Sequence, residues 1–179
     1  MTASGNGNAV PANFEMPQSQ LLTTDKGISS NGTGDQSAKI QYCTFEVVDL
    51  LVGIEVKLVQ EVLRHQQMTF VPLAPGGVKG LINLRGQIVT ALDLRTRLGL
   101  ERRPEGAFAM NAVIRHKDEV ISLLVDRTRD VVEPTVEEFE PVPQTVSPQI
   151  RRLCTGTYKL AGRLLLILDT TKVVNVNDN

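Results

Sequence analysis

Gly80-Leu-Ile-Asn-Leu-Arg-Gly-Gln-Ile-Val-Thr-Ala-Leu-Asp93 returns 76 positions later as Gly156-Thr-Tyr-Lys-Leu-Ala-Gly-Arg-Leu-Leu-Leu-Ile-Leu-Asp169. Gly80/Gly156, Leu84/Leu160, Gly86/Gly162, Leu92/Leu168 and Asp93/Asp169 are identities, and Ile88/Leu164, Val89/Leu165 and Ala91/Ile167 stay apolar. A second match, shifted by 69, aligns Phe45 with Ile114, Asp49 with Asp118, Val52 with Ile121 and Ile54 with Leu123. It continues through Val56/Val125, Glu61/Asp130 and Val62/Val131. Each copy therefore reads strand, turn, strand, spacer, glycine-bounded hairpin, strand. The glycines suit turns that need a positive φ, or a close approach of strands. Chance likeness between two short hairpins is the competing reading, and two matches in the same order argue against it.

Five short strands in a unit of about 60 to 70 residues make a small closed barrel, because closure removes exposed sheet edges. One such unit alone buries little core. Two side by side share an apolar interface, with a groove between them.

The rest of the chain fits this reading. Of the first 39 residues, 23 are Gly, Ser, Asn, Thr, Gln or Pro. Such a segment cannot bury enough surface to offset its ordering entropy, so 1–39 is expected to be a flexible tail. Met16, Leu21 and Leu22 leave a docking motif there as the alternative. In the body, 40–179, Val, Ile and Thr number 39 of 140 residues, which favours strands. Apolar or alternating runs mark strands at Gln41 to Val48, Leu51 to Val56, Ile88 to Leu92, Ala112 to Arg115, Val120 to Val125 and Leu164 to Leu168. The expected division is at about 40–110 and 111–179, with strand exchange between the halves as an option. Helical turns are short. Asp93 is placed to cap Leu94 to Leu98 before Gly99, and Asp169 to cap Thr170 to Val174. Ser147 with Pro148 opens another, and Thr135 with Glu138 forms a capping box.

Composition narrows function by exclusion. The 179 residues carry a net charge of −1, so nothing in bulk charge favours nucleic acid or an anionic membrane. Aromatics are 4% and Trp is absent, which leaves little to stack bases on. No run approaches the roughly 18 apolar residues of a spanning helix, and no secretory signal opens the chain. Cys43 and Cys154 lack metal-ligand spacing, and both read as free thiols in a reducing cytoplasm.

Catalytic patterns are missing too. There is no nucleophile elbow, no phosphate-binding P-loop and no zinc motif. Pro75-Gly-Gly-Val-Lys-Gly80 has the wrong spacing for a phosphate cradle and reads as a turn. His65 and His116 read as surface residues. Arg95, Arg97, Arg102 and Arg103 read as a solvated helical turn balanced by Asp93, Glu101 and Glu105, with an anion or RNA patch as the alternative. We expect no catalytic residue, metal or cofactor.

Arg85 stands apart. Its neighbours Leu84 and Gly86 recur as Leu160 and Gly162, but its counterpart is Ala161. The barrel accepts a small neutral residue there, so the guanidinium is not a requirement of the fold. A permanently charged donor fork at such a place suits an interface. The bland alternative, a local salt bridge to Glu61, is compatible with it.

At these residues the sequence resembles the CheW family of bacterial chemotaxis coupling proteins. The resemblance lies in Lys79-Gly-Leu-Ile-Asn-Leu-Arg-Gly-Gln-Ile-Val-Thr-Ala-Leu-Asp-Leu-Arg95, Val52 to Val62, Leu124 to Val132 and Gly156 to Leu168. It covers about residues 40 to 175. It implies a mainly all-β fold of two SH3-like five-stranded β-barrel subdomains around a shared hydrophobic interface. It also implies a cytoplasmic, non-enzymatic scaffold that couples chemoreceptor tips to the histidine kinase CheA, whose regulatory domain has the same fold. Matched by motif, the receptor-binding positions are Val59, Glu61, Gly80, Asn83, Arg85 and Val131. Val59 and Val131 are then apolar anchors for a receptor helix, and Glu61 with Arg85 a polar pair. The kinase is expected at a barrel end, at the hairpins around Ile54 and Ile88. Three departures from the simplest family pattern are the long polar start, the short end after Val174 and the Gly-rich Leu73-Ala-Pro-Gly-Gly77. They leave open service to a chemosensory pathway other than flagellar motility. A separate CheW-like regulatory domain of a chemotaxis kinase is the nearest alternative, and the start at Met1 with a polar segment weighs against a kinase fragment. A β-barrel enzyme or RNA-binding barrel lacks both a catalytic set and a stacking surface.

Overall fold

The computed structural model describes residues 39–104 and 106–176. The tail expected at 1–39, Lys39 apart, lies outside the described residues, as does Glu105.

The strands in chain order are β1 Tyr42–Val47, β2 Leu50–Glu55, β3 Val59–Leu63, β4 Met68–Thr69, β5 Val78–Leu84 and β6 Gln87–Asp93. They continue as β7 Met110–His116, β8 Glu119–Val125, β9 Arg127–Val132, β10 Phe139–Glu140, β11 Cys154–Leu160 and β12 Arg163–Leu168. One sheet has the order β10-β11-β12-β2-β1-β9 and the other β3-β7-β8-β6-β5-β4. Each sheet thus has five longer strands and one of two residues, the small-barrel content expected from the repeat.

The two copies exchange their first hairpins. β1–β2 joins the sheet of β11–β12, and β7–β8 joins the sheet of β5–β6. A cut near position 110 therefore does not separate the sheets. The exchange is reciprocal down to the register. Where β12 runs parallel to β2, Leu166 lies beside Val52 and Ile167 beside Gly53. Where β6 runs parallel to β8, Thr90 lies beside Ile121 and Ala91 beside Ser122. The shifts of 69 and 76 carry each of these pairs onto its counterpart, so chance likeness is excluded.

The stretches read as spacers hold β3 and β9. Val59↔Ile114 and Val62↔Ala112 in one sheet match Thr128↔Phe45 and Val131↔Cys43 in the other. Both pairings contain a bulge, between Val59 and Glu61 and opposite Cys43 to Phe45. The bulge breaks the alternation that marks a strand in sequence. Charged side chains on β9 hide it further, as is common at sheet edges.

Burial follows the exchange. Phe45, Ile54, Leu92, Ile114, Leu123, Leu166 and Val173 belong to one core drawn from both sheets. Ile82, Val89 and Leu124 fill a second core, and Tyr42, Tyr158 and Leu165 a third. Short helices close the ends. In α1, Leu94–Leu98, the Arg95 amide donates to Asp93 Oδ1 at 3.0 Å, and Gly99 stops the helix at φ 69°. In α2, Pro148–Arg152, the Ile150 amide donates to Ser147 Oγ at 3.4 Å. In α3, Thr170–Val174, the Lys172 amide donates to Asp169 Oδ1 at 3.2 Å. The repeat ends on Asp in both copies because each Asp caps a helix. Thr135 and Glu138 frame a single 3-10 turn, Val136–Glu138, before β10.

Candidate functional site

The Arg85 hairpin gathers several of the expected residues. Leu84 pairs with Gln87 across a two-residue loop, in which Arg85 has φ 52° and Gly86 φ 91°. Two positive φ angles define the type I′ turn, whose twist matches that of the flanking strands. Asn83 Oδ1 fixes the turn by accepting from the Gly86 amide at 2.8 Å. Arg85 Nη2 reaches across to Glu61 Oε2 on β3 at 3.1 Å. The guanidinium side chain remains 78% exposed, so most of its donors face solvent. In the other copy, Gly162 has φ 76° but Ala161 has no positive φ. Arg85 is therefore singular in backbone as well as in side chain.

The remaining expected positions divide. Val59 is half-buried on β3, against the shared core. Val131 is 47% exposed on β9, in the opposite sheet from Arg85. Ile88 is 63% exposed and lies directly across from Asn83. Two positions need correction. Ile54 is fully buried in the shared core and offers no surface to a kinase. Gly80 is also buried, and a Cβ there would meet the Thr69 carbonyl oxygen at 2.6 Å. Its role is to admit β4 against β5. Gly156, its counterpart, likewise admits the Phe139 ring, which packs on Tyr158 at a centroid distance of 5.2 Å.

The basic cluster after Asp93 is also corrected. Arg95 and Arg103 are only 12% and 11% exposed, and both bond Asp126, a residue of the second copy. Arg95 Nε reaches Asp126 Oδ1 and Oδ2 at 3.0 Å each. Arg97 donates to the Lys172, Val173 and Asn175 carbonyls at 2.7 to 2.9 Å, over the end of α3. Of the nearby acids expected to balance the cluster, Glu101 reaches Arg95 Nη1 at 4.0 Å, but the closer partner is Asp126, 31 residues downstream. Of these four arginines, only Arg102 is exposed.

Beside Asp126 lies Glu46 on β1, which the sequence reading did not single out. It accepts from Arg129 Nη2 at 2.8 Å and Arg163 Nη1 at 2.8 Å. Those two bonds hold its carboxyl below the usual range, against the opposing effect of burial. Together these groups line a polar cleft of about 400 Å³ with Asp49 and Arg127. Cys43 and Cys154 are free and buried, and burial pushes the Cys154 thiol up to about 12. His65 is exposed and rests on Phe108 at 5.0 Å between ring centroids. Among the described residues, no three His, Cys, Asp or Glu side chains assemble as metal donors. No described helix is long and apolar enough to cross a membrane.

Two exchanged β-barrel units, joined by one core and carrying an exposed charged hairpin, define a binding module of the SH3-like kind. The sequence profile of the CheW-like domain family matches residues 41–177, and the chain belongs to that family. The chemotaxis protein CheW of Helicobacter pylori is 27% identical over 140 residues, 78% of this chain and 84% of its own. That of Thermotoga maritima is 29% identical over 140 residues, 78% of this chain and 91% of its own. That of Bacillus subtilis is 30% identical over 123 residues, covering 69% and 79%. The crystal structure of the scaffolding protein TtCheW from Thermoanaerobacter tengcongensis superposes with a TM-score of 0.70 at 22% identity. It covers 84% of this chain and 97% of that one.

Proposed function

We propose that this chain is a non-catalytic chemotaxis scaffold that couples chemoreceptors to the histidine kinase CheA in the cytoplasm. The receptor's helical tip docks at the Arg85 hairpin, where Ile88 lies across from Asn83, and the kinase's regulatory domain docks elsewhere, at a barrel end. The observation that carries the reading is Arg85 itself: exposed, held on a left-handed turn, braced by Glu61, and replaced by Ala161 in the other copy. Val59 and Val131 supply apolar contact, while exposed Asn83 holds the turn through the Gly86 amide and buried Gly80 seats β4 against β5. A receptor helix that lays an apolar stripe here gains affinity from the valines and register from the guanidinium.

The test is reconstitution of kinase activity with receptor fragments, with and without this protein. Arg85→Ala should weaken receptor binding by more than about 2 kcal/mol, the range of an interface hot spot, with the fold intact. Full receptor affinity in that variant would overturn the site. Kinase output unchanged by the protein with every receptor would overturn the coupling role.

A further inference from the structure

We propose that the arginine-lined cleft between β1, β9 and β12 binds a multivalent oxyanion of the phosphate class. The proposal stands independently of the scaffold role. Three observations carry it.

The first is charge. Arg95, Arg127, Arg129 and Arg163 line the cleft with Glu46, Asp49 and Asp126, a local surplus of positive charge in a chain of net charge −1. The second is the repeat, which serves as an internal control. Glu46, Arg129 and Arg163 correspond by the shifts of 69 and 76 to Arg115, Gln60 and Gln87. With its amide oxygen turned toward Arg115, Gln60 accepts from Nε at 3.0 Å and Nη2 at 2.7 Å. The fold is therefore satisfied by a single arginine–amide pair between these strands and does not need a carboxylate ringed by guanidinium groups. The third is spare donor capacity. Arg129 and Arg163 bond Glu46 through one nitrogen each, and a guanidinium carries five N–H donors. Arg127 is 74% exposed and 3.9 Å from Glu46.

Planar forks of this kind match phosphate oxygens two at a time. Three partly exposed forks, on Arg127, Arg129 and Arg163, can be met by the three terminal oxygens of a phosphoryl group, whereas a carboxylate has two. No aromatic residue lines the cleft, so a nucleobase has no stacking platform. The shared chemistry is a phosphoryl group, either free or carried on a side chain.

The experiment is an NMR titration of the 15N-labelled full chain, following backbone and arginine Nε signals. Inorganic phosphate is compared with chloride at equal ionic strength. Phosphate should give saturable shifts at Val48, Asp49, Arg127 and Arg129, and Arg127→Gln should weaken them about tenfold. Arg127 is exposed enough for that variant to keep the fold, and Arg163→Gln provides a second reading. A phosphoserine peptide and its unphosphorylated form separate the sources. Saturation by the phosphopeptide alone assigns a phosphorylated side chain, and saturation by phosphate alone a free anion. Shifts that do not saturate with either, or that chloride reproduces, overturn the site.

Discussion

The Val48 amide donates to Asp126 Oδ2 at 2.6 Å, tying the β1–β2 turn of the first copy to the β8–β9 junction of the second. Val48 has φ 56°, a conformation that β-branched residues rarely adopt. Burial pushes the Asp126 carboxyl upward, but the hydrogen bonds from Arg95, Val48 and Arg103 outweigh it and leave the group below 3.8. Glu46 is likewise held below 4.5. Both folded values lie under the unfolded ones, so the charged forms favour the fold. Their contribution is complete above the unfolded values and drains away as pH falls through the folded ones. Denaturation midpoints should thus be level near neutrality and fall below about pH 4.5. Asp126→Asn should flatten part of that acid slope. At neutral pH it should cost about 3 kcal/mol, because Arg95 and Arg103 stay nearly buried without their carboxylate. An unaltered acid slope in the variant would show that Asp126 does not carry it.

The Arg85 turn allows stability to be separated from binding. A left-handed backbone costs an L-residue about 1 kcal/mol, which glycine does not incur. The exposed pair with Glu61 contributes about 0.5 kcal/mol. Arg85→Gly should therefore be as stable as the parent or slightly more so. Arg85→Ala keeps the strain, loses the pair, and should be the least stable of the three. Thermal denaturation gives the ranking. An alanine variant more stable than the glycine variant would mean that the turn is not held left-handed in solution. Both variants should lose receptor affinity equally.

Legibility followed the range of the interactions. Asp93, Ser147 and Asp169 were readable as caps because a cap reaches only two or three residues ahead. The two hairpins of the repeat were readable because glycine and alternation are local signals. β9 was not, since Arg127-Thr-Arg-Asp-Val-Val132 shows no alternation and takes its place from pairing with β1, some 85 residues upstream. The Asp126 clamp was missed for the same reason, as the acid that holds the Arg95 guanidinium most closely lies 31 residues away in sequence. The exchange of hairpins was legible only as an option, because either partner sheet satisfies the same apolar pattern. The Glu46 cluster did leave a trace. Glu46/Arg115 and Gln60/Arg129 differ in charge between the copies, as Arg85 and Ala161 do, and the comparison that isolated Arg85 applies to them equally.

Gly80 and Gly156 occupy the same place in the repeat but are enforced by different neighbours. At Gly80 the obstacle is backbone, the Thr69 carbonyl at 2.6 Å. At Gly156 it is the ring of Phe139, which is 42% exposed and has room to be replaced. Gly80→Ala and Gly156→Ala should each destabilise by about 2 kcal/mol, the usual scale of overpacking. Phe139→Ala should recover most of the loss in Gly156→Ala. Thr69→Ala should recover none in Gly80→Ala, since every residue carries that carbonyl. Urea denaturation of the four single variants and two double variants measures the coupling. Equal rescue in both pairs would refute the distinction.

Hairpin exchange predicts how the halves behave when separated. A fragment of 39–104 retains β1 to β6, but β2 loses β12, β1 loses β9, and β3 loses β7. A fragment of 106–176 loses the complementary partners. The shared core, built from Phe45, Ile54 and Leu92 on one side and Ile114, Leu123 and Leu166 on the other, is open in both. Neither fragment alone should show a cooperative thermal transition, because each exposes both its sheet edges and its half of that core. Mixed at equal concentration, they should associate and recover a transition whose midpoint rises with concentration, as expected for folding linked to binding. Cooperative unfolding of either fragment by itself would mean that the units fold without exchange.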